Sequence, residues 1–457
     1  MTEKHLHDDK LPAFHVTGGA GWINDPNGLV YYKGEYHVFF QYHPYGTAWG
    51  PMHWGHVVSK DLTEWNYLPI ALTPGGVGDK DGCFSGTAIV AFGKLFLMYT
   101  GFEENGGGEN VRQVQCLAES EDGVNFKKHG VVIGSDKLPA DFMPCDFRDP
   151  HVFSHGGKFY CLVAAKKKGG RGRLLLYCSD DLFKWSFFSD ALGFDSDGIM
   201  FECPNYVERL GLLAVSDQLS PPKEDGCLNV HSTRYFLGEM NYSKGRFIVK
   251  SEGIMDYGFD YYAPQCFAET EENLSIGWLN MWDRNVPSVR YGFAGMLSVP
   301  RRLTVENGRL YQSPVVKAEK VFETEVKEKL TDNAVIGVIE IKATALKGFK
   351  INLRKGGENF TSIKLENGFW VFDRSRSGEA IVGAEKDDLS LAGIRKTPFG
   401  STPNTTIKIV LDKYSVEFFE DGKALSSTVY PPETADAIEL EVTADKCTYT
   451  RYKISER

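Results

Sequence analysis

Three short segments place a carboxylate beside a proline or a cysteine: NDPN, RDP and ECP, whose acids are Asp25, Asp149 and Glu202. When carboxylates lie close together, at least one of them resists ionisation, so a cluster of acids is costly unless it has a task. One ionised and one protonated carboxyl group can together attack an anomeric carbon and protonate the leaving oxygen. The motifs therefore favour a carbohydrate-active site, with a calcium site built from the same acids as the alternative.

Other side chains near these motifs could bind a sugar. Flat aromatic rings can cover the apolar C–H faces of a sugar, while amide, hydroxyl and guanidinium groups can bond its hydroxyls. The aromatic candidates are Trp22, Trp49, Trp54, Phe84 and Trp278, and the polar candidates are Asn24, Gln41, Ser85 and Arg148.

A repeat along the chain would bring these motifs together. The segments SKDLTEW, SEDGVNF and SDDLFKW end at Trp65, Phe126 and Trp185, which are 61 and 59 residues apart. Upstream of each segment, a glycine turn opens an aromatic strand pattern with a similar period. Such a period, filled with short strands and turn residues, is typical of a β-propeller with four strands per blade.

The first strand of each propeller blade lines the central channel. Counting back eight or nine residues from each glycine turn reaches Asp25 in the first blade, Phe84 and Ser85 in the second, and Asp149 in the third. Glu202 fits the same position in a fourth blade. The three acids are therefore expected to converge on one funnel.

The chain changes character after the predicted propeller. Residues 320–457 alternate apolar and polar side chains with period two, and Asp421-Gly422 marks a hairpin turn within 414–430. This pattern is typical of a β-sandwich. We predict an all-β fold: a five-bladed propeller over residues 1–303, a linker over 304–319 and a sandwich over 320–457.

Composition limits the function classes. The net charge of −10 is spread along the chain, which argues against nucleic-acid binding. Neither a secretory signal nor a run of about 20 apolar residues occurs, so we expect a cytoplasmic protein without membrane segments. The nine cysteines show no CxxC spacing and are expected to be reduced thiols.

On its motifs, the sequence resembles glycoside hydrolase family 32, the β-fructofuranosidases. The resemblance extends through nearly the whole chain, because that family also has a five-bladed propeller followed by a β-sandwich. The matching segments are WINDPNG at 22–28, FRDP at 147–150 and ECP at 202–204, with further matches at FQY (40–42), WGPMHWGH (49–56) and FSG (84–86).

The resemblance implies a role for each acid. Asp25 would be the nucleophile, Glu202 the general acid/base, and Asp149 a stabiliser that accepts hydrogen bonds from fructose hydroxyls. Arg148, beside Asp149, is expected to keep that acid ionised. The implied fructosyl subsite consists of Asn24, Gln41, Trp49, Phe84, Ser85, Arg148 and Trp278.

The implied reaction releases fructose from sucrose or sucrose 6-phosphate, with retention and through a covalent fructosyl-enzyme. The resemblance implies no cofactor and no metal, a small sugar as the partner, and an open oligomeric state. Hydrolysis of inulin or levan from the chain end, or fructosyl transfer, would use the same three acids. A sugar-binding propeller without catalysis is disfavoured because Asp25 and Glu202 are both present.

Two further motifs have other interpretations. The segment HWGH (53–56) could be a metal pair, but it lacks a nearby third ligand and fits a structural or subsite-wall role better. The basic segment KKKGGRGR (166–173) could hold a sugar phosphate, but it is more typical of a solvated hairpin tip.

Overall fold

The computed structural model describes residues 8–221, 229–282, 284–383 and 393–454, and most regular structure in these ranges is β. None of the helices in these ranges is long and apolar enough to cross a membrane. The helical segments are short 3-10 pieces at Asp8–Lys10, Gly108–Asn110, Ser135–Lys137, Glu208–Leu210 and Pro287–Tyr291.

Successive antiparallel sheets form the predicted propeller, which confirms the all-β fold class. In the first four blades, strands pair in chain order, because each hairpin folds onto the strand before it. Blade 1 contains β1 (Gly21–Tyr32), β2 (Glu35–His43), β3 (His53–Ser59) and β4 (Asn66–Tyr67). Blade 2 contains β5 (Gly82–Ala91), β6 (Lys94–Glu103), β7 (Arg112–Ser120) and β8 (Lys127–Ile133). Blade 3 contains β9 (Phe142–His155), β10 (Lys158–Lys167), β11 (Gly172–Ser179) and β12 (Trp185–Asp190), and blade 4 contains β13 (Met200–Val207), β14 (Leu212–Gln218), β15 (Ser232–Asn241) and β16 (Arg246–Ile254).

The fifth blade closes the ring. Its segments are β17 (Tyr262–Cys266), β18 (Leu274–Leu279), β19 (Arg284–Asn285), β20 (Phe293–Ala294), β21 (Met296–Leu297), β22 (Arg301–Glu306) and β23 (Arg309–Pro314). β17, β18, β22 and β23 form its sheet, whereas β20 pairs in parallel with β1. This pairing joins the last blade to the first, so the main chain closes the ring. Because β23 and the second half of β22 lie within the predicted 304–319 linker, we propose that the propeller extends to Pro314.

The repeated Ser-x-Asp segments form one kind of turn after the third strand of blades 1, 2 and 3. In each turn the serine hydroxyl oxygen accepts the N–H three residues later, at 2.8, 2.9 and 3.1 Å. The aspartate likewise accepts the N–H three residues after itself, at 2.9, 2.8 and 2.7 Å. These side chains satisfy the turn's backbone donors, which explains why the sequence repeats them.

The first strands of the five blades surround the central channel, and each contains a β-bulge. Side chains normally alternate between the faces of a strand, but a bulge re-aims one of them. Two consecutive positions can therefore face the same end of the channel. The φ angles at Asp149, Cys203 and Ala263 are 64°, 47° and 48°, as this local kink requires. The bulges include Asp25, Ser85, Asp149, Cys203 and Ala263.

A buried polar side chain lies two residues after each bulge residue and links its blade to another blade. The Thr87 hydroxyl donates to the carbonyl of Pro150 at 3.0 Å and accepts the N–H of Val152 at 2.9 Å. These contacts fix the first strands relative to one another below the acids. The five side chains are Asn27, Thr87, His151, Asn205 and Gln265.

Two six-stranded antiparallel sheets form the predicted sandwich. Buried apolar side chains fill the space between them, including Trp370 and Phe418, whose rings lie 5.0 Å apart. The Asp421-Gly422 turn has positive φ at both residues, as a tight hairpin requires. The strands are β24 (Glu319–Glu325), β25 (Lys329–Asn333), β26 (Gly337–Thr344), β27 (Gly348–Gly356), β28 (Asn359–Glu366), β29 (Phe369–Asp373), β30 (Val382–Gly383), β31 (Ile394–Lys396), β32 (Thr405–Asp412), β33 (Ser415–Glu420), β34 (Lys423–Thr428), β35 (Ala437–Thr443) and β36 (Lys446–Lys453). One sheet has the order β24-β36-β26-β32-β33-β34 and the other β25-β35-β27-β28-β29-β31, while β30 pairs with β19 of the propeller.

Candidate active site

One end of the propeller channel opens into a cavity of about 410 Å³. Asp25, Asp149 and Glu202 line it together, as the repeat predicted. Because the three acids come from blades 1, 3 and 4, only the closed ring brings them together. Six of the predicted binding residues also line the cavity: Asn24, Gln41, Trp49, Phe84, Ser85 and Arg148.

Asp25 is held by one carboxylate oxygen. Its Oδ2 accepts hydrogen bonds from the hydroxyl of Ser85 at 2.7 Å and from the thiol of Cys203 at 3.5 Å. Its Oδ1 is buried and receives no hydrogen bond from the protein. Burial raises the pKa of Asp25 to about 6, the charge of Glu202 adds to this rise, and the Ser85 hydrogen bond opposes it.

Asp149 lies on the other side of Cys203. Its Oδ2 accepts the backbone N–H of Cys203 at 3.0 Å and contacts the thiol at 3.6 Å. Burial raises the pKa of Asp149, and the nearby charge of Arg148 opposes this rise without cancelling it. Arg148 therefore favours ionisation of this acid, as expected of its charge, but does not offset burial.

The guanidinium of Arg148 is directed to other acids. Its Nε and Nη2 donate to Oε1 of Glu202 at 3.1 and 2.9 Å, and its Nη1 donates to Asp146 at 2.9 Å. Arg148 and Asp149 are consecutive positions at the β9 bulge and both line the cavity, but the longer arginine side chain extends to Asp146 and Glu202. The arginine therefore bridges Asp146 of blade 3 and Glu202 of blade 4.

Glu202 is held at both carboxylate oxygens. Arg148 bonds its Oε1, and the hydroxyl of Tyr262 donates to its Oε2 at 2.6 Å. Sequence reasoning did not find Tyr262, although a signal existed. Tyr262 stands 60 residues after Glu202, and Ala263-Pro264 follows it as Cys203-Pro204 follows the glutamate.

The structure places Trp278 outside the cavity lining. Its indole is fully buried behind the rings of Trp22 and Trp282, at centroid distances of 5.7 and 5.1 Å. Trp278 belongs to β18, which is buried along its whole length, whereas Trp282 follows the end of that strand and lines the cavity. Trp282, and not Trp278, therefore lines the cavity.

Aromatic side chains form one wall of the cavity. Trp49 is 48% exposed and meets Phe84 edge to face at 5.7 Å. Phe84 in turn stacks on Phe102 at 4.4 Å, so the wall is rigid below and accessible at its rim. Lining residues that the sequence analysis did not name are Phe102, Gln113, Asp146, Gln218 and Trp282.

His53 and His56 do not face a common point. They lie three residues apart on β3, which places their side chains on opposite faces. Nδ1 of His53 contacts the carbonyl of Pro51 at 3.0 Å, and Nε2 of His56 contacts His37 at 3.0 Å. In the part of the chain that the structure describes, no group of three or more His, Cys, Asp or Glu side chains is arranged to hold a metal ion.

Comparison with known proteins identifies related sequences. The family model described as glycosyl hydrolases family 32 N-terminal domain matches residues 15–314. The model described as glycosyl hydrolases family 32 C terminal matches residues 309–456. The chain is also 34% identical to a sucrose-6-phosphate hydrolase of Zymomonas mobilis, over 93% of this chain and 88% of that protein.

Solved structures resemble the whole molecule. A sucrose-6-phosphate hydrolase from Lactobacillus gasseri has a TM-score of 0.89 at 26% identity, covering 99% of this chain and 94% of that one. A mutant of the Bombyx mori GH32 beta-fructofuranosidase in complex with sucrose has a TM-score of 0.82 at 30% identity. That comparison covers 98% of this chain and 94% of the other.

Proposed function

This chain belongs to glycosyl hydrolase family 32 and is a β-fructofuranosidase. We propose its substrates, its mechanism and the roles of its site residues. It hydrolyses sucrose and sucrose 6-phosphate with retention, through a covalent fructosyl-enzyme. The observation that carries this proposal is the convergence of three carboxylates from separate blades on one cavity, with Asp25 and Asp149 buried and Glu202 partly buried.

In this proposal Asp25 attacks the anomeric carbon C2 of the fructosyl unit. Ser85 holds its Oδ2, and this leaves Oδ1 without a protein partner and available to form the new bond. As the C2–Oδ1 bond forms, the bond from C2 to the glycosidic oxygen breaks. Water later attacks the same carbon and releases fructose and the free carboxylate.

Glu202 supplies the proton that the departing glycosidic oxygen takes, and it later accepts a proton from the attacking water. Arg148 and Tyr262 fix the orientation of its carboxyl group. Asp149 accepts hydrogen bonds from fructose hydroxyls, and this role requires an ionised carboxylate although burial raises its pKa. Trp282 takes the binding role that the sequence analysis gave to Trp278.

The charge of the cavity argues against a strong requirement for phosphate. Four of the described lining residues are acids, and Arg148 is the cation among them. Of the basic segment at 166–173, Lys166 comes nearest, with Nζ 3.9 Å from a carboxylate oxygen of the lining residue Asp146. Lys166 would attract a phosphate on the glucosyl unit, whereas the acids would repel it. We therefore propose at most a modest preference for sucrose 6-phosphate over sucrose.

Catalytic efficiencies on four substrates test the substrate assignment. We expect kcat/KM for sucrose 6-phosphate to exceed that for sucrose by no more than about tenfold, and the difference to shrink at high ionic strength because exposed charges are screened. Lys166→Ala should remove the difference. Lys168→Ala is the matched control, because the Lys168 ammonium bonds the carbonyl of Ala140.

A short inulin oligomer and levan complete the assay. Faster cleavage of either polymer-type substrate than of both disaccharides would contradict the assignment and favour a fructan hydrolase. A product mixture dominated by transfer to a second sugar would favour a fructosyltransferase.

We also propose a cytoplasmic location. The described cysteines are free thiols, and most of them are buried, which fits a reducing compartment. Retention of the thiols in protein isolated from its native cells, measured by alkylation without reductant, tests this proposal.

A further inference from the structure

We infer that the sandwich domain takes part in catalysis: Arg374 on the sandwich is a positioning residue for Glu202 and acts through Asp260 and Tyr262. The inference rests on the proposed role of Glu202 as general acid/base. No carboxylate cluster in the sandwich sequence suggests such a role, so it depends on contacts between the two domains.

Asp260 is a fully buried carboxylate at the domain interface. Its Oδ2 accepts hydrogen bonds from Arg374 at 2.5 Å and from the backbone N–H and hydroxyl of Thr428, both at 2.8 Å. Its Oδ1 accepts a bond from Arg284. Two arginines, one from each domain, therefore neutralise one propeller acid, and a sandwich strand completes its hydrogen bonding.

The chain before Asp260 is also bonded to the sandwich. The N–H of Tyr257 donates to the carbonyl of Ala424 at 2.9 Å, and the N–H of Phe259 donates to that of Ser426 at 2.8 Å. The guanidinium of Arg374 covers the ring of Phe259 at 4.0 Å. The edge strand β34 thus holds the segment that leads directly into β17.

This segment determines where Tyr262 lies. Tyr262 lies two positions after Asp260, and an extended chain of that length spans at most about 7 Å. Tyr262 is buried and donates to Oε2 of Glu202 at 2.6 Å. A displacement of Asp260 is therefore passed to the hydroxyl that holds the acid/base, with little chain in between to absorb it.

A second branch from Asp260 reaches the cavity wall. Arg284, which Asp260 bonds, follows Trp282 by two residues, and Trp282 lines the cavity. The short strand β19 that contains Arg284 pairs with Val382–Gly383 of the sandwich. Contacts with the sandwich thus support both Trp282 in the cavity wall and Tyr262, the hydrogen-bond partner of Glu202.

Buried ion pairs contribute little net stability, but they can fix one arrangement of the surrounding chain. Loss of Arg374 would leave Asp260 with Arg284 and Thr428, so the carboxylate would move toward the propeller arginine. A shift of this kind would misdirect Glu202 more than it would weaken sugar binding. The effect should therefore fall on the step that needs a proton.

Leaving-group dependence provides the test. Arg374→Met keeps the aliphatic stem and removes the charge and the donors. We expect kcat/KM for sucrose to fall by about tenfold or more, and kcat/KM for a nitrophenyl fructoside, which reports only the formation of the fructosyl-enzyme, to fall by less than about threefold, because that leaving group departs without a proton. Arg374→Lys should restore part of the loss on sucrose.

Arg354→Met is the matched control. Arg354 is another buried sandwich arginine, and it bonds the carbonyls of Ala435, Asp412 and Lys413 within its own domain. We expect this variant to lose stability without changing the ratio of the two rates. Should Arg374→Met fail to fold, Thr428→Val removes one donor to Asp260 and should shift the same ratio by a smaller factor.

Proportional losses on both substrates in a folded Arg374→Met or Thr428→Val enzyme would overturn the inference. Glu202→Ala separates this outcome from failure of the proposed function. If Glu202→Ala lowers kcat/KM equally on sucrose and on the nitrophenyl fructoside, the proposed role of Glu202 is wrong. If Glu202→Ala lowers kcat/KM on sucrose alone but Arg374→Met lowers it equally on both substrates, only the positioning role of Arg374 is wrong.

Discussion

Asp25 combines two demands that oppose each other. Burial around the carboxylate excludes water from the reacting carbon, but it also disfavours the charge that makes the carboxylate a nucleophile. The hydroxyl of Ser85 stabilises the charged carboxylate through Oδ2 and leaves Oδ1 without a protein partner. The remaining rise in pKa, to about 6, should appear in the pH dependence of the enzyme.

The acidic limb of kcat/KM should therefore reflect Asp25 together with Asp149, because burial raises the pKa of both acids. Activity requires both carboxylates to be ionised, so we expect kcat/KM to rise with pH through an apparent pKa of about 6 or above rather than near 4. Ser85→Ala removes the bond that lowers this pKa, and the limb should move to higher pH. A limb near 4 in the unchanged enzyme would contradict the assignment.

The same pKa makes Asp25 a cost to folding. Its folded pKa lies above the unfolded value of 3.8, so stability falls as pH rises from 3.8 to about 6, and the full loss of about 3 kcal/mol is present above that pH. Asp25→Asn should raise the melting temperature at pH 8 and change it much less at pH 4. An equal change in melting temperature at both pH values would show that ionisation of Asp25 does not destabilise the fold.

Among the strands, the bulges convert a sheet into a catalytic surface. A regular first strand would direct only every second side chain into the channel, whereas each bulge offers two consecutive positions. Thr87 supports the arrangement by bonding Pro150, the residue that follows Asp149. The polar side chains below the acids are therefore expected to contribute both stability and geometry.

Thr87→Val should destabilise the propeller. The variant leaves the N–H of Val152 and the carbonyl of Pro150 unpaired in the interior, at a cost of about 1–3 kcal/mol. Thermal or denaturant unfolding measures this loss. Thr304→Val, at an exposed position of β22, is the control and should change stability little. Equal stabilities of the two variants would contradict a supporting role for the Thr87 hydroxyl.

The repeat made much of this site predictable. Equivalent positions in successive blades located Asp25, Asp149 and Glu202, and the same rule applied once more would have located Tyr262. It could not separate Trp278 from Trp282, because that choice depends on where β18 ends. The sequence also did not predict the side-chain directions within the site, as the pairing of Arg148 with Glu202 shows.

Contacts between the domains were beyond prediction from the sequence. Arg374 and Asp260 are separated by 114 residues, and no local pattern connects them. The N-terminal segment shows the same kind of long-range contact. His15 is buried between Asp412 at 2.8 Å and Glu417 at 3.0 Å, both on the sandwich.

His15 should make domain docking dependent on pH. Burial lowers its pKa, but the hydrogen bonds that its ring donates to the two carboxylates outweigh burial and raise the value to about 9. Because the folded pKa exceeds the unfolded value of 6.5, the stabilisation is complete below pH 6.5 and is lost as pH rises through about 9. His15→Gln should therefore lower the melting temperature most at pH 6, and the difference should shrink by pH 9.5. A difference independent of pH would show that the charge on His15 does not matter.

Trapping the covalent intermediate tests the proposed mechanism most directly. Glu202→Ala should still form the fructosyl-enzyme from a nitrophenyl fructoside, but without its base it should hydrolyse that species slowly, so the intermediate accumulates. Mass spectrometry of the digested protein should then find one hexosyl adduct, on the peptide that contains Asp25, and none after the further change Asp25→Ala. An adduct on Asp149, or full turnover with no adduct in a folded Glu202→Ala enzyme, would contradict the assignment of Asp25 as the nucleophile.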